Sequence, residues 1–214
     1  MVPAATATLR RVIDPASPGA TLLRTAIAER GRVEGPLLKV DEFLNHRVEP
    51  PLMAAIGQTI ASAFAATSPD LILTAEASGI PPALATGAAL EIPVVYAKKY
   101  PRGDEIRPSF VREVASPTKG VEYRVEVARR VLPAAARVLV VDDFLSGGRT
   151  AQALGDIVVE ANAEVVGLGF VIEKAFMGAR AQLEARGWLV ESVVVISALD
   201  GGVAVFADQG LHQT

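Results

Sequence analysis

Residues 137–150 read Arg-Val-Leu-Val-Val-Asp-Asp-Phe-Leu-Ser-Gly-Gly-Arg-Thr, a continuous apolar run, two adjacent carboxylates and a small-residue loop ahead of an alanine-bearing helical stretch. From Val138 to Val141 the run is β-branched and leucine without alternation, as in a parallel strand covered on both faces. Asp142 and Asp143 are then expected at the carboxyl end of that strand, the edge at which open α/β sheets bind phosphates and sugars. Ser146, Gly147 and Gly148 remove side-chain bulk, so that backbone N–H groups can approach an anion. Thr150 offers a hydroxyl while opening a helix expected to reach about residue 161. Ionised carboxylates only accept hydrogen bonds, so the acids suit two vicinal hydroxyls, or a divalent ion held by those hydroxyls. A sugar with free hydroxyls and a terminal phosphate satisfies both halves. The competing reading is an ordinary strand–loop–helix corner in which the acids cap a turn.

Apolar runs at 71–74, 94–97, 138–141, 165–172 and 189–196 alternate with helical patterns near 81–90, 150–161 and 178–186. That alternation predicts an α/β fold with a mostly parallel twisted sheet flanked by helices. Leu52, Ile56, Ile60 and Phe64 recur every fourth residue after Pro50-Pro51 and predict one helix stripe facing the core. Between 100 and 131 the rhythm breaks into charged, proline-containing sequence. Runs at 110–114 and 122–127 are expected to pair as a two-stranded flap, since a long polar excursion inside a compact domain is usually a lid or binding loop.

With 214 residues, 50% of them hydrophobic, the chain can bury one substantial core and is expected to form one domain. Its formal charge of −3 argues against the basic surface that nucleic acid requires. It has no cysteine, so disulfides and thiolate metal sites are excluded. No stretch approaches the ~20 apolar residues that cross a bilayer, and residues 1–20 lack the core of a signal peptide. A soluble, cytoplasmic protein is expected, with residues 1–20 as an extension of the domain.

A second small-residue loop, Ala77-Ser78-Gly79, follows the run at 71–74, and Pro81-Pro82 opens the next helix. Lys98 and Lys99 follow the run at 94–97, where a cation could reach an anion in the same crevice. With the Asp142-Asp143 segment, these features resemble the type I phosphoribosyltransferases, which use phosphoribosyl diphosphate (PRPP). The resemblance implies that Asp142 and Asp143 hold the ribose hydroxyls and that Ser146, Gly147, Gly148, Arg149 and Thr150 bind the 5-phosphate. It assigns the diphosphate to Ala77, Ser78 and Gly79 with Lys98 and Lys99 jointly. It also implies Mg²⁺ carried by the substrate rather than by protein ligands, a homodimer, a hood built from about 21–50 and 173–214, and a mobile flap at about 100–127.

Leu37-Leu38-Lys39-Val40-Asp41-Glu42-Phe43-Leu44-Asn45-His46 and Val171-Ile172-Glu173-Lys174-Ala175-Phe176 are similar to the branch of that family that uses xanthine. Asn45 and Lys174 are then base-reading residues, with Leu38 and Phe43 lining the pocket. Xanthine presents two carbonyl oxygens, which suit a lysine and an amide donor better than adenine's exocyclic amine does. His46 is read as a turn or core residue. The chain departs from the family in its flap, which reads Glu113-Val114-Ala115-Ser116-Pro117 with no tyrosine beside Ser116. Other readings are a non-catalytic PRPP-sensing purine regulator and a transferase for guanine, hypoxanthine or adenine. The acidic charge and the short segment before residue 22 argue against the regulator.

Overall fold

The computed structural model describes residues 13–101, 108–115 and 122–207. Its centre is an eight-stranded sheet built from β3 (Leu71–Ala75), β4 (Val94–Pro101), β5 (Ser109–Ala115), β6 (Glu122–Ala128), β7 (Arg137–Leu145), β8 (Glu164–Lys174), β9 (Val190–Asp200) and β10 (Val203–Phe206). The spatial order is β10-β9-β8-β7-β3-β4-β6-β5. Strands β9, β8, β7, β3 and β4 are parallel, while β10 at one edge and the β6-β5 pair at the other are antiparallel. A separate hairpin, β1 (Arg32–Glu34) with β2 (Leu37–Lys39), precedes the sheet.

The route of the chain through this order locates the site. From β3 it runs through helix α3 (Ile80–Leu90) to β4 on one side, and from β7 through α4 (Arg149–Glu160) to β8 on the other. The direction of travel therefore reverses between β3 and β7, and the loops after these two strands open onto one crevice at their carboxyl ends.

Two apolar cores cover the faces. The expected stripe Leu52, Ile56, Ile60 and Phe64 lies on α2 (Pro50–Phe64), is buried, and packs in the first core with α1 (Pro18–Arg30). Phe64 needs smooth strands beneath it. A side chain at Gly167 or Gly169 of β8 would strike its ring, so truncating Phe64 should cost about 3–5 kcal/mol. The second core holds α4, Val138 and Val140 of β7, and Trp188. Trp188 fills the notch left by Gly155 of α4, with the Arg186 guanidinium 4.1 Å above its ring.

Several boundaries differ from the sequence expectation. Packed structure reaches back into the segment assigned to the extension: α1 starts at Pro18, and Ile13 is buried with its N–H donating to Glu191 Oε2 at 3.1 Å. The expected pairing of 110–114 with 122–127 is present, Phe110 opposite Val127 and Val114 opposite Tyr123. The pair is continuous with the main sheet, because β6 also pairs with β4, Lys98 opposite Glu126. Arg112 of β5 is further tied to Glu160 of α4 at 2.6 Å. Ser116 and Pro117 lie outside the described residues.

Candidate active site

β7 continues through Leu145, four residues beyond its apolar run, so Asp142 and Asp143 lie within the strand near its carboxyl end. Asp142 lies opposite Phe170 of β8. Both acids are largely buried, and the Asp143 N–H donates to Asp142 Oδ1 at 3.0 Å. Burial first, and the neighbouring Asp143 charge second, hold the Asp142 carboxyl well above its ordinary range; Lys99 acts in the opposite direction. A group in that state gains from any positive charge placed beside it.

The loop after β3 meets these acids directly. Gly79 is buried, and a Cβ there would fall 2.5 Å from Asp142 Oδ1 and strike Thr74. The Thr74 hydroxyl is fully buried and has no hydrogen-bond partner. Ala77 is exposed and Ser78 half-buried at the mouth of the loop. The Glu76–Ala77 peptide is cis.

On the other side of the acids, Ser146 and Gly147 lead into Gly148, whose φ of +75° gives α4 a left-handed N-cap. That conformation favours glycine, and a side chain there would press on Ala179. The first-turn N–H groups of an α-helix such as α4 have no partner within the helix, which suits an anion placed at its start. A cavity of about 170 Å³ is lined by Ser146 to Ala151 together with Val114, Tyr123 and Phe144.

Strand alternation separates the two lysines. Both lie within β4 rather than after it. Lys99 Nζ stands 5.3 Å from the Tyr123 ring and lies close enough to Asp142 to act on it, while its backbone N–H donates to Glu76 Oε1 at 2.7 Å. Lys98 faces a different hollow of about 440 Å³, lined with Tyr96, Tyr100, Glu126 and Arg130. Only Lys99 is thus aimed at the crevice.

Lys174 ends β8, is largely buried, and donates to the Pro36 carbonyl at the tip of the β1-β2 hairpin at 3.2 Å. Burial lowers its pKa. Its Nζ lies 5.6 Å from the ring of Phe144, a half-buried residue directly after the acid pair. Asn45 is half-buried at the end of a single π-helical turn, Asp41–Asn45, and His46 follows it, exposed. Phe43 and Leu38, expected to line the base pocket, both lie in the first apolar core. Phe43 has no exposed surface and lies under the Arg30 guanidinium, 5.0 Å from its ring. Leu38 is buried and lines a cavity with Ile27 and Phe206.

Sequence reasoning missed Tyr123, Phe144 and a buried ionic cluster behind Lys174. In that cluster Glu173 accepts from Arg180 Nε at 2.9 Å and from Ser192 Oγ at 2.6 Å, and Arg180 also donates to the Val190 carbonyl at 2.6 Å. The Glu173-Lys174 pairing was visible in sequence, but its partners come from other elements.

The fold and site define a phosphoribosyltransferase, and the chain belongs to the phosphoribosyl transferase domain family, whose model matches residues 40–184. Among curated relatives, it is 44% identical over 187 residues to the xanthine phosphoribosyltransferase of Pseudomonas entomophila (strain L48), covering 87% of this chain and 98% of the relative. A xanthine phosphoribosyltransferase of Chloroflexus aurantiacus is 45% identical over 181 residues, 85% of each chain. Similar solved folds include adenine phosphoribosyltransferases of Rhodothermus marinus (TM-score 0.68, 21% identity, 83% of this chain and 98% of that one) and Trypanosoma brucei (TM-score 0.68, 13% identity, 89% and 85%). At those identities the likeness establishes the type I fold alone.

Proposed function

We propose that this chain transfers the 5-phosphoribosyl group of PRPP to xanthine, giving xanthosine 5′-monophosphate and diphosphate in purine salvage. The observation that carries the reading is the contact of Gly79 with Asp142: one sugar diphosphate laid across it reaches acids, diphosphate loop and 5-phosphate loop together. The choice of base rests on the identity of about 44% to relatives that bear that activity in their names.

In this reading Asp142 and Asp143 accept hydrogen bonds from the ribose hydroxyls, and their charge supports the positive character that grows at C1 as diphosphate leaves. Ser146 to Thr150 anchor the 5-phosphate; Ala77 to Gly79 and Lys99 receive the diphosphate. Lys174 and Asn45 donate to the base carbonyls over the Phe144 ring, with Phe43 acting from behind the pocket wall. The purine nitrogen bonds to C1 as the C1–O bond to diphosphate breaks, and the nitrogen's proton is released. Fixing both partners in one crevice supplies much of the rate. As hard oxygen donors, Asp142 and Asp143 also fit the divalent ion that PRPP carries, whose chemistry is to neutralise the leaving diphosphate. Among the described residues no helix is long and apolar enough to cross a membrane; a cytoplasmic homodimer fits the reading.

Incubating the chain with PRPP, Mg²⁺ and each purine base in turn tests this. Nucleotide formed fastest with xanthine is the expected result. A preference for adenine, guanine or hypoxanthine would overturn the base assignment, and tight PRPP binding without product would favour a sensor.

A further inference from the structure

The β5-β6 arm reaches the phosphate cradle through one side chain. Tyr123 of β6 projects on the same sheet face as Lys99 and α4, and its hydroxyl lies 3.1 Å from Thr150 Oγ1 in the first turn of α4. Both residues line the cavity formed by Ser146 to Ala151. Each of the two hydroxyls carries one proton, and the single bond between them uses only one. The other proton has no acceptor among the described residues, and the surrounding cavity is apolar at Val114, Phe144 and Leu145. Two hydroxyl oxygens 3.1 Å apart can both lie within hydrogen-bond reach of one phosphate oxygen.

We infer that Tyr123 is a phosphate-binding residue, donating its phenolic hydrogen to the 5-phosphate of the substrate beside Thr150. This rests on the transferase reading and adds to it a ligand from the antiparallel arm. The arm is held by β4 and by the Arg112–Glu160 ion pair, so the phenol is positioned before substrate arrives. A phosphate dianion has acceptor capacity to spare, and a charge-assisted hydrogen bond in a surround of low dielectric is stronger than the hydroxyl pair it replaces. Tyr123 also lies beneath Lys99, so the same ring borders the 5-phosphate loop and the lysine that faces Asp142.

The test is Tyr123→Phe, which keeps the ring and removes the hydroxyl. Calorimetric titration with ribose 5-phosphate should show binding about tenfold weaker than wild type, while binding of inorganic diphosphate is unchanged. In turnover, KM for PRPP should rise by about the same factor, with kcat and KM for the base little changed. Ribose 5-phosphate bound as tightly by the variant as by wild type would overturn the inference and leave the transferase reading in place. Equal weakening toward ribose 5-phosphate and diphosphate would also overturn it, since Tyr123 would then act through Lys99 or loop geometry. A wild-type chain that binds ribose 5-phosphate more tightly than the variant but never turns over PRPP would support the phosphate contact and sink the reaction.

Discussion

Gly79 lies against the carboxylate of Asp142 with no room for a methyl group between them. The contact joins the loop after β3 to the acids at the end of β7 across the point where the chain's direction reverses. Gly79→Ala should therefore displace both groups at once. The expected loss is about 100-fold in kcat/KM with a destabilisation of about 1–3 kcal/mol from overpacking. Steady-state kinetics beside thermal unfolding checks it; a variant that unfolds earlier yet keeps its rate would mean the contact is only structural.

Asp142 should limit stability in exchange for function. Its carboxyl is raised in the folded state, so the native chain holds that proton more tightly than the unfolded chain. Its contribution to stability consequently falls as pH climbs from the ordinary carboxylate value through the raised one. Asp142→Asn removes this loss, and at neutral pH Tm should rise by about 2–4 °C. Turnover should fall by about 100-fold or more. Melting curves from acid to neutral pH provide the check, since the gain should vanish at the acid end.

The two adjacent lysines should separate cleanly. Lys99→Ala removes a cation that faces the acids and should raise KM for PRPP by about tenfold or more. Lys98→Ala, which alters the other face of β4, should change it by no more than about twofold. Equal effects would show that the face assignment of β4 does not govern substrate binding.

Lys174→Met keeps much of the stem's packing against Phe144 and removes the donor. KM for xanthine should rise by about tenfold while KM for PRPP stays near wild type. A larger effect on PRPP than on the base, measured by varying each substrate in turn, would remove Lys174 from the base pocket.

The cluster behind it is a stability element. Glu173→Gln removes the buried countercharge of Arg180, leaving it only the more exposed Glu184 at 3.4 Å, and should cost about 3 kcal/mol. Pairing Glu173→Leu with Arg180→Met should recover much of that in a denaturant titration, because no charge is then stranded.

The strand cores, the α2 stripe and the glycine loop after β7 were legible because each is signalled by neighbours in sequence. Strand ends were less so: the apolar runs stop at Val141 and Ala97, so the acids were expected just at the strand's end and Lys98 and Lys99 after it, yet ladder pairing carries β7 and β4 through all four. Tyr123 could not be joined to Thr150, nor Phe144 to Lys174, since nothing local marks pairs that meet only through sheet order. Phe43 shows the converse. Its apolar character was plain, but its place beneath Arg30 follows from how α1 packs on the π-helical turn.

The seat of Trp188 on Gly155 has a practical result. This is the chain's only indole, and it rests on the helix that opens directly after the Ser146–Gly148 loop. Its emission is therefore a single-site optical gauge of that helix, free of overlap from other tryptophans, and the Arg186 guanidinium above it makes the signal sensitive to small displacements.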